Sequence, residues 1–246
     1  MAEITNRLEN VWRDLWQVFG ESESWDSDPV KCKEIQQRLS RFNRSHSDDS
    51  EHINNVIQAL SKGYNLLKSG IEWHEPVIGH QSIDKLNNTH KARGVQWKLV
   101  MVWGGFETIT KIILPKPNKK NNFKVIIQNF IDELELPMYV ELTAPDSTRA
   151  NLEKWLAKPN CGKSTALSYF LSLQNTDQEI IDHWIIQSQP ISTWGEAVRL
   201  AKAMRNATAH GALSASKVKQ WGMQKSLLTL SDNLGEIVVA GLQKLI

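Results

Sequence analysis

Between Ala203 and Ser214 the chain reads AMRNATAHGALS, which sets Arg205, Asn206 and His210 within six residues of an alanine-rich run. Those side-chain types at that spacing suit chemistry on the phosphodiester of RNA. Breaking that linkage without a metal requires the 2′-OH to lose a proton and the leaving 5′-oxygen to gain one. It also requires the charge on the phosphorane to be met. A histidine moves protons near neutral pH. An arginine fork binds phosphoryl oxygens and stabilises developing charge, and an asparagine can orient either partner. The same residues also suit a solvated basic helix face that ends in a capping histidine. Spacing alone does not choose between the two.

The element that must position them has well-marked ends. Thr193-Trp194-Gly195-Glu196 reads as a capping box, with Glu196 reaching back to the cap amide. Gly211 after His210 is a left-handed stop, and Ser214 caps a short helix that follows. At 100° per residue, Ala197, Leu200, Ala201, Met204 and Thr208 form one stripe facing the core. Arg199, Lys202, Asn206 and His210 gather on the opposite stripe, and Arg205 lies about 140° from His210 around the axis. Residues 197–231 carry six bases and no acid, whereas residues 1–28 carry seven acids against two arginines. The asymmetry predicts a basic groove for an anionic partner near the C-terminal part, with Arg199, Lys202, Lys217 and Lys219 as candidate RNA contacts.

Elsewhere, three- and four-residue apolar spacing dominates. It predicts helices over 3–19, 30–42, 51–69, 88–114, 123–135, 147–157, 164–173, 177–188, 193–210 and 223–245, and no stretch alternates with period two. The fold class is all-α, a helical bundle. Pro76 and Gly79 interrupt the chain after the third helix, which suggests an N-terminal helical region over 1–87 and a functional core over 88–246, the two packing as separate units or as one domain. The ten tryptophans read as core and helix-contact residues.

Composition excludes several classes. Apolar residues make up 41% of the 246, charged residues 23%, and the net charge is only +2. That is ordinary for a globular chain rather than a disordered one. Cys32 and Cys161 form no metal-binding or disulfide pattern, and no histidine pairing has ligand spacing, so neither metal nor cofactor is expected. No apolar run approaches a membrane span, and the first residues lack a signal pattern, so the expected location is the cytoplasm. The stretch PNCGKSTALS ends like a phosphate-binding loop, but Ala157 stands where its first glycine belongs, and a helix rather than a strand precedes it. The plain reading there is a helix end at Lys158-Pro159, a turn at Gly162 and a cap at Ser164.

Arg205-Asn206-Ala207-Thr208-Ala209-His210 resembles the Arg-polar-x-x-x-His signature of HEPN domains, an all-α superfamily rich in metal-independent RNases. The helix WKLVMVWGGFETITKIIL, residues 97–114, looks like the long upstream helix of that family, with Phe106 and Glu107 as its aromatic and acidic pair. The resemblance covers roughly residues 88–246. It implies Arg205, Asn206 and His210 as catalytic residues, with Glu107 as a further carry-over. It further implies single-stranded RNA as substrate, a homodimer that brings two Arg–His motifs into one cleft, and a toxin, antiphage or stress role, sometimes with a cognate antitoxin protein. The alternative is a non-catalytic HEPN-like module that binds a protein or nucleic acid. A symmetric dimer would need an apolar face outside the basic stripe, for which Trp97, Val100 and Trp103 are the candidates. Lys111, Lys116, Lys119, Lys120 and Lys124 form either an RNA-tracking run or simply a solvated loop.

Overall fold

A computed structural model describes residues 2–21, 25, 28–74, 88–118, 122–156 and 163–246. Among them are eleven helices: α1 (Ala2–Phe19), α2 (Pro29–Leu39), α3 (Ser50–Ile71), α4 (Asn88–Ile113), α5 (Phe123–Asp132), α6 (Asp146–Leu156), α7 (Lys163–Leu171), α8 (Asn175–Ile181), α9 (Trp194–Ala209), α10 (Ala215–Gln220) and α11 (Gln224–Gln243). The described residues contain no strand, and the nearest approach to one is an antiparallel bridge between Leu142 and Ile191. The chain is all-α. Polar caps set many helix starts. Asp28, Asp49, Asn122, Thr193 and Ser214 each accept a hydrogen bond from a backbone N–H of the first helical turn.

Several ends differ from the periodicity reading by two or three residues. The helix expected over 30–42 stops at Leu39. The one expected over 177–188 starts two residues earlier and widens into a π-helical turn over Asp182–Ile186. An extra residue in a turn leaves the apolar pattern nearly unchanged, so periodicity does not reveal it. The loop of the false phosphate-binding motif, 157–162, lies outside the described residues. On either side of it stand helices α6 and α7, with no strand leading in.

Helices α3 and α4 form the tightest pair. They run antiparallel with glycines at their crossing points, Gly63 opposite Ile109, Gly70 opposite Val102 and Gly105 opposite Leu67. A Cβ on Gly105 would stand 2.5 Å from the backbone nitrogen of Leu67, so only glycine lets the backbones approach this closely. At the α3 carbonyl end the buried Lys98 donates its ammonium to the Ile71 carbonyl. Burial holds its pKa below the usual lysine range, while the carboxylate of Asp232 on α11 partly offsets that. A buried amine without such partners would be costly.

Helix α4 also packs on α9, α10 and α11, and α1 lies against α11. One core runs from Ile4 in α1 to Leu245 past the end of α11. Residues of the N-terminal helices and of the 88–246 part thus share a single apolar interior. This packing corrects the expected dimer face on α4. Trp103 is buried between Phe106 and Phe123, Val100 is half-buried, and only Trp97 stays exposed. A helix with so wide a buried side packs within its own fold. The tryptophans serve largely as anchors, with Trp184 and Trp221 fully buried and Trp12 stacked on Tyr64.

The non-helical residues 135–141 lie against the start of α9. The indole N–H of Trp194 donates to the Pro137 carbonyl, and that of Trp184 donates to the Leu142 carbonyl. Tyr139 meets Trp194 edge-on and accepts a hydrogen bond from Asn233. Burial pushes the Tyr139 phenol from 10.0 up to about 12, against the opposing pull of that hydrogen bond. Below pH 10 both folded and unfolded chains keep the phenol proton. Between pH 10 and about 12 the unfolded chain loses it and the folded chain does not, so stability is expected to fall across that window. Denaturation midpoints measured against pH check this, and Tyr139→Phe should flatten the slope. An unchanged slope in that variant would exclude Tyr139 as the source.

Candidate active site

The α9 helix starts as the sequence suggests, with one change. Thr193 accepts from the Glu196 N–H, but the Glu196 carboxylate bonds the N–H and hydroxyl of Ser192, one residue before the cap. Of the expected core stripe, Ala197, Leu200, Ala201 and Met204 are fully buried and Thr208 half-buried. Val198, Ala203 and Ala207 are buried too. The apolar face is therefore wider than the stripe, and the polar face is squeezed to a half-buried strip along α8.

Along that strip a chain of polar contacts forms. Arg205 Nη1 donates to Asn206 Oδ1 at 2.9 Å, and Asn206 Nδ2 donates to Asp177 Oδ2 at 2.8 Å. Lys202 Nζ reaches the other oxygen of Asp177 at 3.1 Å. On its far side Arg205 pairs with Glu107 of α4 at 3.8 Å, and Glu107 also meets Lys111 at 3.0 Å. The Asp177 side chain is only 4% exposed, so both of its oxygens are satisfied within the protein. Arg205 is held from two sides yet makes one hydrogen bond to a described residue, and its buried Nε–H has none. A guanidinium carries five donors. Its Nη2 end faces the Glu107 carboxylate at 3.8 Å, beyond hydrogen-bond distance.

His210 caps α9 at its carbonyl end and is exposed. Its backbone N–H donates to the Asn206 carbonyl, which leaves the ring on the solvent side with no hydrogen bond to a described residue. Gly211 follows at φ +73°, and Leu213 closes back on the Ala207 carbonyl at 2.9 Å, the left-handed stop that the sequence implies. Gln96 fixes this turn from α4. Its buried amide donates to the Leu213 carbonyl at 2.6 Å.

The expected free basic groove is not what the fold builds. Arg199 pairs with Glu179 at 2.5 Å and Lys202 with Asp177, while Arg205 faces Glu107. The run 197–231 has no acid of its own, but α8 and α4 bring acids to it. Lys217 and Lys219 sit on α10, beyond the Gly211 turn, where Lys217 turns to Gln220 and the Trp221 ring. The fold thus brings Lys202, Arg205, Asn206 and Glu107 together, and sets Lys217 and Lys219 on another helix. Of the candidate lysine run, Lys111 belongs to the Glu107 pair, Lys124 is exposed at the start of α5, and Lys119 and Lys120 lie outside the described residues.

Sequence reasoning passed over Asp177 and Gln96. Asp177 is an unremarked acid in the first turn of a short helix, and its partners lie 25 and 29 positions away. Gln96 did leave a trace, since a lone amide inside GVQWKLVMVW needs a buried partner. Among the described residues, no three His, Cys, Asp or Glu side chains group closely enough to hold a metal ion. Family models, curated proteins and solved structures give no match to this chain.

The Asp177 hub gives a direct stability test. Asp177→Ala strands the Lys202 ammonium and the Asn206 amide and is expected to cost about 1–3 kcal/mol. Glu179→Ala removes a carboxylate that is 69% exposed, and is expected to cost no more than about 1 kcal/mol. Urea denaturation of both variants measures the contrast. Equal losses would mean that the buried hub adds nothing to the fold.

Proposed function

We propose that the chain is a metal-independent endoribonuclease of HEPN type that cleaves single-stranded RNA as a homodimer in the cytoplasm, in the manner of a toxin or an antiphage or stress effector. The observation that carries this reading is the state of Arg205. Glu107 and Asn206 hold it in place, yet its Nη2 forms no hydrogen bond to a described residue, five positions before the exposed His210. In this reading the 2′-oxygen loses its proton and attacks phosphorus. The bond from phosphorus to the 5′-oxygen then breaks, and that oxygen takes up a proton. His210 moves a proton, Arg205 binds the phosphoryl oxygens, and Asn206 keeps the fork oriented from the Asp177 hub. One Arg–His pair is thin for two proton transfers, and a two-fold partner doubles the groups around one phosphate.

Incubating purified protein with end-labelled single-stranded RNA, with and without EDTA, tests the reading. The expected result is cleavage unaffected by EDTA, leaving a 2′,3′-cyclic phosphate and a 5′-OH. A strict requirement for magnesium would overturn the mechanism. One observation favours a second reading, a non-catalytic module: Arg199, Lys202 and Arg205 all meet carboxylates within the protein. That reading expects no cleavage under any condition. A cognate antitoxin protein belongs to the first reading as the partner that would hold the nuclease in check.

A further inference from the structure

Two hollows adjoin on the polar side of α9. One, of about 240 Å³, lies between α5 and the first turn of α9, and the other, of about 190 Å³, lies between the starts of α5 and α8. Phe123, Lys124 and Arg199 line both, so the two hollows lie side by side on a shared wall, here taken as one groove. Joined, they reach the size range of sites that enclose small ligands, about 300–1,000 Å³. The groove runs from Thr193 to Asp177 and Lys202, the outer end of the polar chain that leads through Asn206 to Arg205.

The lining has a definite chemistry. Phe123 is half-buried, backed by Trp103 at 6.3 Å between ring centroids, and the Lys202 ammonium stands over its ring at 6.0 Å from the centroid. That makes a ring fixed in place at a groove wall rather than a swinging side chain. Lys124 is exposed and forms no ion pair with a described residue, and the partner of Arg199 is the largely exposed Glu179. A pair whose carboxylate is this exposed is worth little and yields to a competing phosphate. A fixed aromatic wall with two cations at its edge takes a flat base and the phosphate beside it. A base inside a duplex has both faces stacked and cannot enter.

The geometry points to this groove as a subsite for one unpaired nucleotide, its base stacked on Phe123 and its phosphate held by Lys124 and Arg199, next to the phosphate placed at Arg205. This inference rests on the RNA reading of the Arg205 site and names the strand that the site receives. Base–aromatic stacking contributes about 1–3 kcal/mol per base. Loss of the Phe123 ring is therefore expected to weaken binding about 5- to 150-fold.

The test is fluorescence anisotropy of a labelled single-stranded RNA oligonucleotide with the His210→Ala chain, so that bound RNA is not consumed. Into that background go Phe123→Leu, which keeps apolar bulk, and Lys124→Glu, which is exposed and leaves the core alone. Phe123→Leu is expected to weaken binding within the range above, and Lys124→Glu to lower the salt-dependence slope by about 0.7. Should Phe123→Leu fail to fold by circular dichroism, Lys124→Glu decides. Unchanged binding in the folded variants overturns the groove, even if the wild-type chain cuts RNA. Binding that depends on Phe123 and Lys124 without any cleavage upholds the groove and removes the nuclease reading. A duplex competitor as effective as the single strand overturns the unpaired-nucleotide assignment. No RNA binding at all overturns both.

Discussion

Arg205→Ala and His210→Ala chains are each expected to cleave single-stranded RNA at least about 100-fold more slowly than the parent, with the fold intact. The surroundings of each residue explain why the fold should survive. Without Arg205, Glu107 keeps Lys111 at 3.0 Å and Asn206 keeps Asp177, so no charge is left alone. The His210 ring is exposed and bonded to no described residue, so its removal touches only solvent. A large rate effect with a small stability effect is the signature of chemistry rather than scaffolding. Arg205→Lys should behave nearly like the alanine variant, because an ammonium keeps the charge and loses the planar fork. Mixing the two inactive alanine chains probes the assembly. In a shared cleft some mixed dimers combine one intact arginine with one intact histidine, and partial activity returns. Undiminished cleavage by the His210→Ala chain would remove His210 from the chemistry, and only a parent chain that cuts no RNA would leave the non-catalytic reading.

Gly105→Leu is expected to prevent folding, and Gly105→Ala to lower stability by about 1–3 kcal/mol despite alanine's higher helix propensity. The new Cβ meets the nitrogen, Cα and Cβ of Leu67 at 2.5–2.6 Å, and backbone cannot rotate aside as a side-chain tip can. Relief requires α3 and α4 to separate, which loosens the packing of Leu67, Val102 and Phe106, all fully buried. A helix-interior alanine gains about 1 kcal/mol over glycine, so a net loss isolates the steric term. Urea denaturation of the alanine variant and circular dichroism of the leucine variant measure it. Alanine that stabilises the chain would mean that the helices part without cost.

Local signals were the legible ones. Thr193, Gly211 and Ser214 mark helix ends by side-chain and backbone chemistry that acts within a few residues, and the fold uses each of them as read. Glu107 entered only through a resemblance, and the fold sets it 3.8 Å from Arg205. What spans long separations was not legible. Asp177 joins Lys202 and Asn206 only because α8 folds back on α9. The run of bases after residue 197 looked unbalanced only because its balancing acids sit elsewhere in the chain. The apolar residues Trp97, Val100 and Trp103 looked like a surface stripe because one face was counted. The buried side of α4 is wider than one stripe, with Lys98, Leu99, Val102, Trp103, Phe106 and Ile109 all buried.

Helix α4 holds both ends of the candidate site. Gln96 grips the turn after His210, and Glu107 faces Arg205. The two grips are eleven positions apart on one continuous helix, about 16 Å of rise. A residue gained or lost between them swings one grip about 100° around the axis relative to the other. Over generations, then, the connections between helices are free to lengthen or shorten, but the stretch from 96 to 107 can change only by substitution. Among divergent descendants of this chain, that stretch should be the one aligned without gaps.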